Sequence, residues 1–329
     1  MKKSLAIVLL VVMLLSLAAC GEKQPAQTPD PDASAQQEDV AFPEKDMKVI
    51  VPFSPGGAVD STCRMIAETV PDYMDGHKLI VENVAGGGAI IGQTQALNSS
   101  ADGYTMLALT TSFLTNILMN ETPFAFEDAE PIAMYSFDAI ALVVPADSPF
   151  ETLDDFVKYA QENEVVLCTS GHSTTYHIAG LLMERDMGIK VKYVHNDGAP
   201  TQIAQLLGGH AECATMAYGE VKGQIDDGSL RILAMMGNER KVEDIPTFKE
   251  YGYDLVFGPW RGFAVPKGTP QEVIDALDTK FAEVLQDSAL QEKMEAAGYP
   301  ISYGDRAYFK DYMEKEFENF KEMIPLLEG

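Results

Sequence analysis

The 329 residues are 46% hydrophobic and 22% charged, with 50 acidic against 24 basic side chains and a formal charge of −26. That balance excludes nucleic acid as an expected partner, because binding phosphates needs a basic footprint. It also opposes the approach of anionic ligands, so any anion site has to be made locally.

The chain opens MKKSLAIVLLVVMLLSLAAC: two lysines, an apolar run from Leu5 to Leu17, and small residues before Cys20. This is the layout of a signal peptide (1–20), its apolar run too short for a lasting membrane span. LAAC followed by Gly21 resembles a lipobox, in which the cysteine becomes the new N-terminus and is lipidated. The mature protein is therefore expected outside the cytoplasm, held to a membrane by lipid on Cys20. Residues 21–46 are rich in Gln, Pro, Ala and acids and cannot bury enough surface to offset the entropy of ordering, so they read as a flexible tether. The ~280 residues that remain suffice for one large or two ordinary domains. The other cysteines, Cys63, Cys168 and Cys213, are odd in number and sit in apolar surroundings, which favours buried free thiols over a structural disulfide.

MKVIVPF reads as a strand, and Val59, Cys63, Ile66 and Val70 after it share one helical stripe. KLIVENV is a second strand, AIIGQTQALN a short helix and YTMLALTT a third strand. After AIALVVPADSPF the alternation restarts with helix TLDDFVKYAQ, strand VVLCTSG, helix TTYHIAGLLMERD, strand VKYVHN, helix APTQIAQLLGG and strand ECATMAYG. Alternating strands and helices predict α/β units, each a mainly parallel sheet flanked by helices. From LVFGPWRGFAVPKGTP the chain runs as an extended strand and then three helices, a tail that has to pack on a sheet already built, the first. Two lobes follow, 47–144 with 258–329 and 145–257, with hinges at 144–145 and 258–259 and a ligand cleft between.

In such sheets ligands bind beyond the carboxyl ends of the strands. The first of these loops, VPFSPGGAVD, supplies Phe53, Ser54, Pro55, Gly56, Gly57 and Asp60. Its glycines let the backbone approach a ligand while the following helix points amides at it, which suits a carboxylate as well as a phosphate; a tight turn without ligand is the alternative. No Lys follows the glycines, so this is no P-loop, and GGGAIIG at 86–92 is not a GxGxxG. A second loop, CTSGHSTTYHIAG, holds Thr169, Ser170, Gly171, Ser173, Thr174 and Thr175. GHSTT matches a GxSxG nucleophile elbow except at Thr175, and the one histidine after Asp197, His210, lies in the turn LLGGH, which favours hydroxyls facing a polar ligand over an esterase. His172 and His177 are five apart and not on one helical face, so His177 is expected to hydrogen-bond locally and no metal is expected. Trp260 reads as packing, whereas Arg261, beside Gly262, can offer a carboxylate a bidentate fork. Thr111, Ser112, Asn116, Asn196, Asp197, Tyr218 and Glu220, at other strand ends, complete the candidates.

The motifs PFSPGGAVD, IVENVAGGGAIIG, ADGYT, TSGHSTTYHIAG, LLGGHAE and WRGFAVPKGTP, in order from about residue 47 to the C-terminus, resemble the extracytoplasmic solute receptors of tripartite tricarboxylate transporters, the Bug receptors. The resemblance implies a two-lobed periplasmic-binding-protein-like fold of type II, without cofactor, metal or catalysis. It implies that the loops holding residues 54–57 and 169–175 face each other and hold one carboxylate through amides, hydroxyls and waters. It further implies a monomer that delivers a di- or tricarboxylate to large and small membrane subunits. A secreted serine hydrolase using Ser173 and a ligand sensor without transport are the competing readings. Some family members carry an Asp where Tyr218 stands, selecting amino ligands, and glycine is common where Ser173 and Tyr176 stand, so an amino-acid ligand is not expected and Tyr176 is expected to narrow the pocket.

Overall fold

A computed structural model describes residues 42–327. The signal segment, Cys20 and the tether up to residue 41 lie outside the described residues. The last stretch of the expected tether, 42–46, is tied to the fold. Phe42 packs on Tyr104 with ring centroids 4.9 Å apart, the Glu44 amide donates to the Tyr104 hydroxyl at 3.0 Å, and Asp46 accepts from the Lys78 amide at 2.9 Å. One aromatic among prolines and acids carries no periodic signal, yet its ring supplies enough apolar area to anchor the segment.

The two sheets have the same topology. In the first, β1 (Met47–Val51) lies parallel to β2 (Leu79–Asn83) and β3 (Thr105–Thr110), while β10 (Trp260–Pro266) runs antiparallel between β3 and β4 (Ala129–Phe137). In the second, β6 (Glu164–Thr169) lies parallel to β7 (Lys190–His195) and β8 (Cys213–Ala217), while β5 (Ile140–Pro145) runs antiparallel between β8 and β9 (Leu230–Met235). Each antiparallel strand is the one that arrives from the other sheet. The central strands are almost wholly buried, which is why they read as apolar runs rather than alternations.

Helices cover these sheets. α1 (Ala58–Tyr73) buries Val59, Cys63, Ile66 and Val70, the stripe read from sequence. α2 (Ile90–Leu97) and α3 (Ser112–Met119) belong with the first sheet. α4 (Leu153–Glu162), α5 (Thr175–Met187), α6 (Ala199–Leu207) and α7 (Tyr218–Asp226) belong with the second. A capping box starts α4: the Asp155 amide donates to Thr152 Oγ1 at 3.2 Å and the Thr152 amide to Asp155 Oδ2 at 3.0 Å. The tail helices α8 (Gln271–Leu285), α9 (Ser288–Ala296) and α10 (Arg306–Leu327) return to the first sheet, with Phe281 against Phe263 at 4.8 Å and Phe309 edge-on to Trp260 at 5.2 Å.

The sequence reading had no counterpart for α3, β4, α7 and β9. β4 includes Pro131, permitted because the strand lies at the sheet edge, and it is buried on both faces, so neither propensity nor alternation marks it. α7 buries only Val221 and contains Gly219 and Gly223, which blunt its period. The passage between sheets also falls earlier than expected. β5 is hydrogen-bonded within the second sheet, so the chain changes sheet at Asp138 and Ala139 rather than at 144–145. The return passage, at 258–259, lies against it: the Asp138 amide donates to Pro259 O at 3.0 Å and the Ile140 amide to Phe257 O at 3.2 Å. A Cβ on Gly258 would fall 1.6 Å from the Asp138 carbonyl oxygen, so only glycine permits this crossing.

Candidate functional site

A cavity of about 40 Å³ opens where the carboxyl ends of the two sheets meet, room for about three waters at ~10–15 Å³ each. Four helices begin at its wall: α1 with Gly57, Ala58 and Val59, α3 with Ser112, α5 with Thr174, Thr175 and Tyr176, and α6 with Gly198 and Ala199. First-turn amides have no partner within their own helix, and the helix dipoles add positive potential, so ends drawn from both sheets favour an anion without a basic side chain. Phe53 and Pro259 give the cavity an apolar side, and Thr110, Ser170, Glu220 and Arg261 complete the wall.

Both charged residues of that wall are engaged. The Glu220 carboxylate accepts the Ala58 amide at 3.0 Å through Oε1, and through Oε2 the Tyr176 hydroxyl at 2.7 Å and the Ala217 amide at 3.0 Å. It therefore joins the start of α1 to the second sheet. Arg261, 1% exposed, donates from Nη1 to the Asp138 carboxylate and to Ser136 Oγ at 3.0 Å. Burial works against its charge, but the Asp138 carboxylate outweighs this and holds the guanidinium above its ordinary pKa. The expected open fork is thus committed at Nη1, while Arg261 Nε is buried without a partner. The Thr110 hydroxyl is likewise buried and unpartnered.

Of the residues singled out in the sequence, Phe53, Gly57, Ser112, Ser170, Thr174, Thr175, Glu220 and Arg261 line the cavity. The others stand behind it, several as a clasp between the two sheets' loops. The Ser54 amide donates to Asp197 O at 3.1 Å, and Pro55 and Gly56 are exposed, with the Gly56 amide bound to Asp60 Oδ2 at 2.8 Å. Asp60 also holds Arg64. Thr111 Oγ1 accepts the Trp260 amide at 3.0 Å, and Asn116 Nδ2 donates to Gly88 O at 2.8 Å. Ser173, fully buried, accepts Asn120 Nδ2 on its hydroxyl at 2.9 Å and Thr115 Oγ1 on its carbonyl. Gly171 sits so close to Gly88 that a Cβ on either would press on the other's loop. Thr169 binds His195, the Asn196 amide donates to Thr169 O at 2.9 Å, and Tyr218 faces Gly298 instead of the cavity.

The sequence reading left Ala58, Val59, Thr110, Gly198, Ala199 and Pro259 out of the site. Gly198-Ala199-Pro200 has a signal of its own, a glycine between strand and helix with proline in the first turn. Tyr176, expected to narrow the pocket, lines it.

The histidines five apart do come together. His172 and His177 lie 4.9 Å apart by ring centroid, and His195 stands 5.4 and 4.8 Å from them. His177 accepts the Ser173 amide on Nδ1 at 3.2 Å, the local bond expected beneath the loop. Burial, with His195 and His172 beside it, pushes its pKa down to about 3. Cys63, Cys168 and Cys213 are free and buried.

A family model described as tripartite tricarboxylate transporter family receptor matches residues 62–328. Protein BugT of Bordetella pertussis (strain Tohama I) is 30% identical over 266 residues, 78% of this chain and 81% of that protein. The solved structure of the periplasmic binding protein BugD is similar with a TM-score of 0.83 at 25% identity, over 87% of this chain and 98% of that one. The R. palustris protein Rpa4515, solved with adipate, has a TM-score of 0.83 at 22% identity over the same shares of the two chains.

Proposed function

The chain belongs to the tripartite tricarboxylate transporter family of receptors, and on that premise we propose that it is an extracytoplasmic receptor whose two lobes close on a small organic carboxylate. The observation that carries this reading is the convergence of helix N-termini from both lobes on one cavity. Fixed amides and dipoles receive an anion there without a free cation, in keeping with an acidic chain. The adipate in one structural neighbour belongs to the same chemical class. The receptor delivers its carboxylate to the large and small membrane subunits of a tripartite transporter and is held at the membrane by lipid on Cys20. The reading includes no chemical step, and what supports this is the place of Ser173, whose hydroxyl accepts Asn120 Nδ2 at 2.9 Å and is buried behind the cavity wall.

A thermal-shift screen over carboxylates tests the binding, since a ligand at 100 times its dissociation constant stabilises by about 2.7 kcal/mol. Shifts with sugars or metal cations and none with carboxylates would overturn it. Anchoring is tested by Cys20→Ser, which is expected to leave the protein without lipid label and either uncleaved or released from the membrane fraction, whereas unchanged labelling and membrane recovery would overturn it.

A further inference from the structure

Resting on the carboxylate reading above, we propose that Glu220 sets the charge class of the ligand: the cleft takes a carboxylate that bears a single negative charge, and Glu220 turns away dianions and trianions. Among the residues that line the cavity only Glu220 and Arg261 are charged. Arg261 has its positive charge balanced by Asp138, to which Nη1 is bound. Glu220 therefore leaves the wall with an excess of one negative charge. Its carboxylate already occupies the start of α1, accepting the Ala58 amide at 3.0 Å, and is fixed there by Tyr176 and Ala217.

One ligand carboxylate still finds donors: the starts of α3, α5 and α6, and the unpartnered Thr110 hydroxyl and Arg261 Nε in the same wall. A second carboxylate would add a charge to a wall that already carries an excess negative one, and it would lie against Phe53, Val59, Ala199 and Pro259 or come close to Glu220. An ionised group on an apolar wall has lost its water without compensation, and one beside another carboxylate is repelled by it. The far end of the ligand is thus not anionic: apolar, or a hydroxyl that donates to Glu220.

Isothermal titration of the full chain in detergent tests this with two panels: acetate, propionate, lactate, pyruvate and benzoate as monoanions, and succinate, malate, adipate and citrate as polyanions. The tightest monoanion is expected to bind at least tenfold more tightly than every polyanion. In Glu220→Gln, which keeps size and an acceptor oxygen, the ratio between lactate and malate is expected to fall about tenfold. A polyanion leading the wild-type ranking, or an unchanged ratio in the variant, overturns the assignment while leaving the carboxylate reading intact. No binding from either panel, with sugars or cations bound instead, overturns both. The wild-type ranking decides the matter even if the variant does not fold.

Discussion

The Glu220 carboxylate accepts a 3.0 Å hydrogen bond from the amide of Ala58, a residue of the other lobe. This one side chain caps α1 from across the cleft, so it helps to hold the lobes together. Glu220→Ala would strand the amides of Ala58 and Ala217 and the Tyr176 hydroxyl, and a hydrogen bond to a charged group contributes ~1.5–3 kcal/mol. Without ligand, the variant is expected to show a larger radius of gyration by X-ray scattering and about tenfold faster hydrogen exchange at Ala58. Scattering and exchange like the wild type's would mean that other contacts close the lobes.

Arg261 and Asp138 form a buried ion pair at the passage between the sheets. Truncating one member leaves the other charged and unpaired, which costs about 3–5 kcal/mol, whereas replacing both by apolar residues of similar volume is often near neutral. Arg261→Gln is therefore expected to lower stability in urea by that amount and to weaken every carboxylate alike. Arg261→Met combined with Asp138→Leu is expected to recover most of the stability. A loss confined to one class of carboxylate, at unchanged stability, would restore Arg261 to the role of a ligand fork.

The sequence carried the α/β alternation and the return of the helical tail, because each is written in local apolar period or in glycine position, whereas the facing of the two loops came only through the family resemblance. Asp138 illustrates what it did not carry. Nothing around it marks a partner for Arg261, since that pairing exists only where the two chain passages cross at Gly258. Glu220 was legible as a residue at a strand end but not as an acceptor for α1, because that contact depends on lobe closure. His172, His177 and His195 met for a similar reason: β6 and β7 are neighbours, and the turn into α5 folds two of the rings back over their ends. Sequence separation says little about distance once a turn intervenes.

His177 gives stability a pH dependence of definite sign. Its pKa is about 3 in the fold and ~6.5 in the unfolded chain, so above 6.5 neither state holds the extra proton and the fold pays no penalty. Below 6.5 the unfolded chain takes up a proton that the buried ring refuses, and stability falls by ~1.4 kcal/mol per pH unit until about pH 3. His195, also held low by burial and by His172, acts in the same direction. Urea melts at pH 7 and pH 5 are expected to differ by about 2 kcal/mol through His177, a difference that His177→Gln reduces. An identical difference in that variant would assign the acid loss elsewhere.

Gly88 adopts φ +62°, and a Cβ added to it would lie 2.3 Å from the carbonyl oxygen of His172 on the opposing lobe. The variant Gly88→Ala thus carries two costs of different kinds. The left-handed backbone costs roughly 1–2 kcal/mol wherever it occurs. The clash exists only when the lobes are closed, so it bears on binding and not on the folding of either lobe. Gly76 separates the two: its φ is +85°, and a Cβ there meets nothing within 4 Å. Gly76→Ala is expected to lose similar stability and bind its carboxylate as the wild type does, while Gly88→Ala loses at least tenfold in affinity by titration calorimetry. Equal affinities in the two variants would show that the described approach of Gly88 to His172 is not required for the bound state.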